Sequence, residues 1–242
     1  GMFAPSQLER STQRLLQSKE IDYRATQVTP VKRQGPHGTC WSFAFVETIE
    51  GLNVRQGNAL VNISNQEVID CCARCRGSNQ DASYHFVMQN RHVHGLDIKG
   101  RMATDDSYPY SGKNSPNNCW AKIFHSELAP VKVGGCVRVN DDSVKSGEPI
   151  YFALSLLGPA ALGIDASCLQ GYSGGVITNC TDHRVDHAVL LVGAGVDEDG
   201  VPYFRIKNSW GPKWGEDGYF RIAQKGGQMG FTNVVFARGW TE

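Results

Sequence analysis

The stretch Val31 to Phe45, VKRQGPHGTCWSFAF, sets Gln34, His37 and Cys40 close together just ahead of an apolar run. From Thr39 the chain reads TCWSFAFVETIEGLNVRQG. Phe45, Ile49 and Leu52 fall at helical spacing, Thr39 can cap the start and Gly57 supplies the stop. Cys40 is therefore expected in the first turn of a helix. There, unpaired N–H groups and the positive end of the helix dipole lower a thiol's pKa and favour the thiolate. Taken alone, a cysteine at such a position also reads as a buried structural residue. Two further candidates lie far downstream. VDHAVLLVG puts His187 at the head of a buried strand, and IKNSWGPKWGEDGYFRI puts Asn208 at a strand end just before Ser209-Trp210-Gly211.

The elements that must position these residues divide the chain. After the helix at Cys40, SNQE has capping-box form with Ser64 as cap and Glu67 three residues on, predicting a helix over 64–72. Another is expected over 82–90. After Pro130 the texture changes to short β-rich runs: VKVGGCVRV, PAALGIDAS, GGVIT, HAVLLVGAGV, PYFRIKNSW and GYFRIA. A helical first part and a strand-rich second part make an α+β chain of two lobes, with a site between them able to draw on both. The expected division is a mainly helical lobe over 21–130 carrying Cys40 and a β-rich lobe over 131–242 carrying His187 and Asn208. Residues 1–20 read as an N-terminal extension or pro-segment remnant, with Leu8, Leu15 and Leu16 on one marginal apolar stripe. Gly1-Met2 reads as a tag-cleavage scar followed by an introduced start.

At 242 residues the chain is long enough to bury a core. Its 24 lysines and arginines match 24 acidic residues, so no broad field attracts nucleic acid or an acidic membrane surface. No apolar run approaches the roughly 18 residues that a membrane-spanning helix needs. Eight cysteines favour an oxidising compartment, and the sequons at Asn62 and Asn179 fit the same picture. The expected location is the secretory pathway, either lysosomal or vacuolar, or extracellular.

These segments resemble the papain family of cysteine proteases, in particular its cathepsin L-like branch. The landmarks run from IDYR near the start through VTPVKRQG, CWSF, NQEVIDC, DDSYPY, GYSGGVI and VDHAVLLVG to KNSWGPKWGEDGYFRI. The resemblance implies a papain-like fold with a helical left lobe, a β-barrel-like right lobe and the active site in the cleft. It implies an endopeptidase working through a Cys40 thioester, with no cofactor and no metal. His187 would be general base and then acid, Asn208 the residue orienting its ring, and Gln34 a donor to the oxyanion beside the Cys40 N–H. Trp210 would cover the Asn208–His187 contact. Protein or peptide substrates are the implied partners, with cystatin-type inhibitors or the protein's own propeptide as others, and the chain is expected to be a monomer. The alternatives are a latent or catalytically silent relative acting by binding, and an exopeptidase variant.

Several positions depart from the family's pattern. Most relatives carry a disulfide cysteine where this chain has His37. His37 reads either as an extra titrating group near the cleft or as an exposed loop residue. By resemblance Cys71 would pair with Cys119, and Cys168–Cys180 is a local replacement for a missing late partner near Met229. Cys72, Cys75 and Cys136 are then left, and at least one must keep its thiol unless pairing is intermolecular. CCARC with His85, His92 and His94 admits a zinc reading, but the segment maps onto a disulfide region. RHVHG reads as a helix end. The pocket for the second residue upstream of the cut would be lined by Gly77, Ser78, Asn79 and Gln80 on one side and by Gly163, Val185, Asp186 and Val234 on the other. It is expected to prefer Leu, Val or Phe.

Overall fold

The computed structural model of the chain describes residues 20–72, 74–75, 80–88, 92–93, 96–113, 119–139, 147–180, 184–224 and 232–240. The helix at the nucleophile candidate, α1 (Cys40–Arg55), is buried continuously from Cys40 to Asn53. A helix enclosed on all sides needs no amphipathic stripe. It ends where Gln56 donates its N–H to Leu52 and Gly57 takes φ 84°. Thr39 does precede α1, yet the expected cap does not form, because its hydroxyl lies 2.9 Å from that of Tyr110 instead.

The second helix, α2 (Asn65–Cys71), starts as expected, with Ser64 Oγ accepting the Glu67 N–H at 3.0 Å. The reciprocal half of the capping box is replaced by tertiary bonds. The Glu67 carboxylate accepts the Ala103 N–H at 2.6 Å, and the Ser64 N–H donates to the Ala103 carbonyl at 2.9 Å. Next come α3 (Gln80–Met88), the hairpin β2 (His92–Val93) and β3 (Leu96–Asp97), and α4 (Cys119–Phe124). RHVHG is therefore not a helix end at its described residues: His92 and Val93 form a strand, where Val93 pairs with Leu96.

The strands β4 (Val133–Val139), β5 (Ala160–Ile164), β6 (Val176–Ile177), β7 (His187–Val196), β8 (Pro202–Lys207) and β9 (Tyr219–Ala223) coincide with the six β-rich runs. Three elements of this sheet region had no counterpart in the sequence reading. They are β1 (Ile21–Asp22), helix α5 (Glu148–Leu157) and β10 (Thr232–Gly239). The sheet runs β4-β10-β5-β7-β8-β9-β6 with β1 beside β7, all antiparallel except β6 against β9. It stays open from β4 to β6 among the described residues, so the expected barrel-like lobe is a curled, unclosed sheet.

Side chains alternate across that sheet. Ala161, Ala188, Val235 and Ala237 face α1 and share a core with Phe45, Val46 and Ile49. Leu162, Ile164, Val189, Phe236 and Phe220 face the other way, onto Ile150 and Leu154 of α5. Small residues on the α1 face let the helix approach, and large ones fill the opposite core. Disulfides join Cys71 to Cys119, Cys72 to Cys75 and Cys168 to Cys180, while Cys40 and Cys136 keep thiols. With Cys71, Cys72 and Cys75 all bridged, the zinc reading of CCARC loses its thiolates. Asn62 and Asn179 are exposed. No helix among the described residues is long and apolar enough to cross a membrane.

Candidate active site

Packing of α1 across β7 brings Cys40 to the head of that strand. The Cys40 sulfur faces the N–H groups of Ala188 and Trp41 as well as its own. Ala188 follows His187, which is held by the β5 register opposite Ile164 and by the Asp186 N–H donating to the Ile164 carbonyl at 3.1 Å. Cys40 and His187 thus converge from the two lobes, both buried.

Asn208 follows β8 and is set by its N–H donating to the Gly218 carbonyl at 3.0 Å. Gly218 sits at φ 90°, and a Cβ there would stand 2.5 Å from Val31 Cγ1, so only glycine allows this approach. Asn208 Oδ1 accepts the Ser209 N–H at 2.8 Å and lies 2.8 Å from His187 Nε2. A backbone N–H can only donate, so the atom between them is oxygen and His187 Nε2 must carry the proton. That tautomer leaves Nδ1 as the ring nitrogen with a free lone pair. Trp210 stacks on the imidazole, with ring centroids 5.0 Å apart at 26°, and is backed edge-on by Trp214.

Gln34 is buried and its amide is oriented by two bonds. Ser209 Oγ donates to its Oε1 at 2.6 Å, and its Nε2 donates to the His37 carbonyl at 2.8 Å. The second Nε2 hydrogen remains for another acceptor. The His37 ring is exposed and packs against Gly112, where a Cβ would stand 2.5 Å from its Cδ2. His37 therefore contributes its carbonyl to Gln34 while its ring closes over a neighbouring segment.

Burial dominates the electrostatics. It pushes the Cys40 thiol above its ordinary value despite the lowering effect of the three N–H groups, and Asp186 pushes the same way. This reverses the expected direction: the helix start acts as anticipated, but desolvation outweighs it. Burial likewise lowers His187, against the Asn208 bond and the Asp186 charge, which both raise it. The resting pair is thereby biased towards neutral thiol and neutral imidazole.

Four residues that sequence reasoning missed stand behind the site. Lys207 Nζ lies 2.6 Å from Glu47 Oε1, and Lys32 Nζ lies 2.7 Å from Glu50 Oε1. Thr29 donates to Glu50 Oε2 at 2.6 Å, and the Ile63 N–H donates to Glu50 Oε1 at 2.9 Å. Glu47 and Glu50 belong to α1 and Lys207 immediately precedes Asn208, so the Glu47–Lys207 pair ties the helix of Cys40 to β8, while Glu50–Lys32 ties it to the segment leading to Gln34. The available signal was charge inside strongly apolar runs, because charges buried with such runs must be paired.

The chain belongs to the papain family of cysteine proteases. The family's profile, described as papain family cysteine protease, matches residues 17–238. A viral cathepsin of Antheraea pernyi nuclear polyhedrosis virus is 36% identical over 220 residues, covering 89% of this chain and 62% of the viral protein. The chain spans about three fifths of the length of the viral cathepsins it matches. Among solved structures, bromelain of Ananas comosus in complex with the E64 inhibitor gives a TM-score of 0.75 at 29% identity, covering 91% of this chain and 99% of that one. The digestive procathepsin L 3 of the Tenebrio molitor larval midgut gives 0.75 at 28%, covering 91% and 70%.

The pocket residues are brought together only in part. Gly163 pairs in register with Ala188 beside His187, and Val185 and Asp186 are exposed in the approach to β7. Val234 is completely buried among Ile164 and Phe236 on the opposite face of the sheet. Gly77, Ser78 and Asn79 lie outside the described residues, as do His94 and Met229, and Gln80 is described only as the first residue of α3.

Proposed function

We propose that this chain is a thiol-dependent endopeptidase in which Cys40 is the nucleophile, His187 the general base and acid, Asn208 the residue that orients it, and Gln34 an oxyanion donor. The observation that carries the reading is the doubly used Asn208 Oδ1, which fixes the His187 tautomer with Nδ1 free, in a ring placed next to Ala188 and hence beside Cys40. Nδ1 takes the thiol proton, and the thiolate forms a C–S bond to the scissile carbonyl while the π pair moves to oxygen. Gln34 Nε2–H and the Cys40 N–H hold that oxyanion. Collapse breaks the C–N bond as His187 protonates the leaving amine, giving the thioester. Water attacks next, losing its proton to Nδ1, and collapse of the second tetrahedral species releases the acid and returns the proton to sulfur. Trp210 shields the His187–Asn208 bond from water, which strengthens it.

The helical lobe, 21–130, supplies the nucleophile, and the lobe over 131–242 supplies His187 and Asn208. Gly163 and Val185 form part of a pocket that prefers Leu, Val or Phe upstream of the cut. Three disulfides support a secretory, lysosomal or extracellular location, and the E64 inhibitor held by bromelain is expected to block Cys40. The test is cleavage of a mixed peptide library with reductant, comparing the chain with Cys40→Ala by mass spectrometry. Internal cuts that vanish in the variant are expected; cuts that persist would overturn the reading.

A further inference from the structure

One hydroxyl bonds both the Gln34 backbone and the Thr39 side chain, at the two ends of the loop that leads into Cys40. Tyr110 Oη lies 2.8 Å from the Gln34 main-chain carbonyl and 2.9 Å from Thr39 Oγ1. A carbonyl only accepts, so Tyr110 spends its single proton on Gln34, and Thr39 must donate to Tyr110. This is why the Thr39 hydroxyl is lost to the cap of α1. The Tyr110 ring stands edge-on to Phe43 of the first turn of α1, with centroids 5.0 Å apart at 76°. Two residues farther on, Gly112 lies under the His37 ring. The 110–112 segment thus grips the 34–39 loop at Gln34, His37 and Thr39, between the amide donor and the nucleophile.

We infer that Tyr110 is a positioning residue for the oxyanion donors: its hydroxyl sets the spacing between Gln34 and the backbone leading into Cys40. The inference rests on the proposed roles of Cys40 and Gln34. Two donors must converge on one oxygen within hydrogen-bond range, so a small displacement of the Gln34 backbone penalises the charged intermediate more than substrate binding. Alkylation of the thiol by iodoacetamide makes no such demand. The sulfur displaces iodide from carbon, and no carbonyl oxygen gains charge. A dipeptide aldehyde does make it: sulfur bonds to the carbonyl carbon, and the oxygen takes the electron pair and then a proton.

Tyr110→Phe keeps the ring against Phe43 and removes only the hydroxyl. The expected result is a fall in kcat of about tenfold, short of the roughly hundredfold or more for losing an oxyanion donor outright, with KM changed by less than about twofold. Aldehyde affinity should fall in step with kcat/KM while the iodoacetamide rate stays within about twofold of the parent. Thr39→Val should show a smaller loss of the same kind, and Thr39→Ser should restore it. Parent-like kcat and aldehyde affinity in Tyr110→Phe would overturn the inference, as would equal losses in turnover and alkylation. If Tyr110→Phe does not fold, the Thr39 pair decides: aldehyde affinity lost in Val and regained in Ser supports the inference, and no difference between them overturns it. Cutting that survives Cys40→Ala would instead sink the underlying reading, a separate outcome.

Discussion

Helix α1 carries two kinds of buried ionisable group and treats them in opposite ways. At its first turn Cys40 meets the Ala188 N–H, next to His187, and burial pushes both Cys40 and His187 towards their neutral forms. About two and three turns later Glu47 and Glu50 are just as enclosed, but each touches a lysine. Burial alone would raise Glu50, yet Lys32 and Lys207, with hydrogen bonds from Lys32 and Thr29, hold it below the usual carboxylate range. In the first region burial works against charge on either group. The second sets Glu50, held charged, beside Glu47, which burial raises even next to Lys207, and the Glu47–Lys207 contact ties α1 to β8.

The comparison breaks most severely where the fixed charges lose a partner. Lys207→Met leaves Glu47 buried and unpaired, which costs about 3–5 kcal/mol and lowers Tm on the order of 10 °C. Adding Glu47→Leu removes the orphaned charge and should recover much of that loss, as read by thermal denaturation. Recovery would show that desolvation of the unpaired carboxylate dominates; no recovery would show that the pair itself carries the stability.

Next in size is Glu50→Gln, expected to cost about 1.5–3 kcal/mol at neutral pH, because bonds to a charged acceptor are lost. The sign of its pH dependence follows from the lowered pKa. Glu50's contribution is present above the ordinary carboxylate value of 4.5 and is lost as pH falls through its lower folded value. Glu47 is raised by burial even beside Lys207, so it contributes the opposite slope. Melting curves across the acid range should therefore show a shallower acid-side loss in Glu50→Gln than in the parent. An unchanged slope would mean that Glu50 does not titrate with unfolding.

This second region marks the limit of what could be read in the sequence. Cys40, His187 and Asn208 stand out because each sits at the end of a strongly patterned element, and element ends are where backbone groups and side chains are free to act. The six β-rich runs were legible for the same reason, being bounded by Gly, Pro, Asn and Asp. Helix α5 was not, although Pro149 in its first turn marks the start, because a short apolar run such as IYFALSLL fits a strand as well as a helix. Thr39 was misassigned by a local rule that a distant hydroxyl overrides. The direction of the Cys40 shift was misjudged because a helix dipole can be inferred from position, whereas burial depends on what another lobe places on top.

A smaller effect sharpens the catalytic side of the comparison. Asn208→Ala removes the acceptor that holds the His187 tautomer, and losing one buried hydrogen bond of this kind should lower kcat/KM by about ten- to a hundredfold. Iodoacetamide alkylation of Cys40 should slow as well, because it also depends on the imidazole. That distinguishes Asn208 from Tyr110, whose removal should spare alkylation. Equal alkylation rates in Asn208→Ala and the parent would show that the ring is held by Trp210 stacking alone.

The smallest expected effect tests whether the neutral bias can be tuned from outside. Asp186 is exposed, lies 3.6 Å from the Arg184 guanidinium and accepts the Ala166 N–H at 2.9 Å through Oδ1. Its negative charge raises both Cys40 and His187, disfavouring the thiolate and favouring the imidazolium. Asp186→Asn keeps an oxygen for Ala166 and removes the charge. The sign is therefore the same for both groups, and the two limbs of the kcat/KM profile should move together towards acid, with little change in maximum rate. Because the carboxylate is exposed and already near an arginine, added salt should shrink the difference between the variant and the parent. Limbs that move apart, or a shift that ignores salt, would show that Asp186 acts by shaping the Ala166 turn and not through its charge.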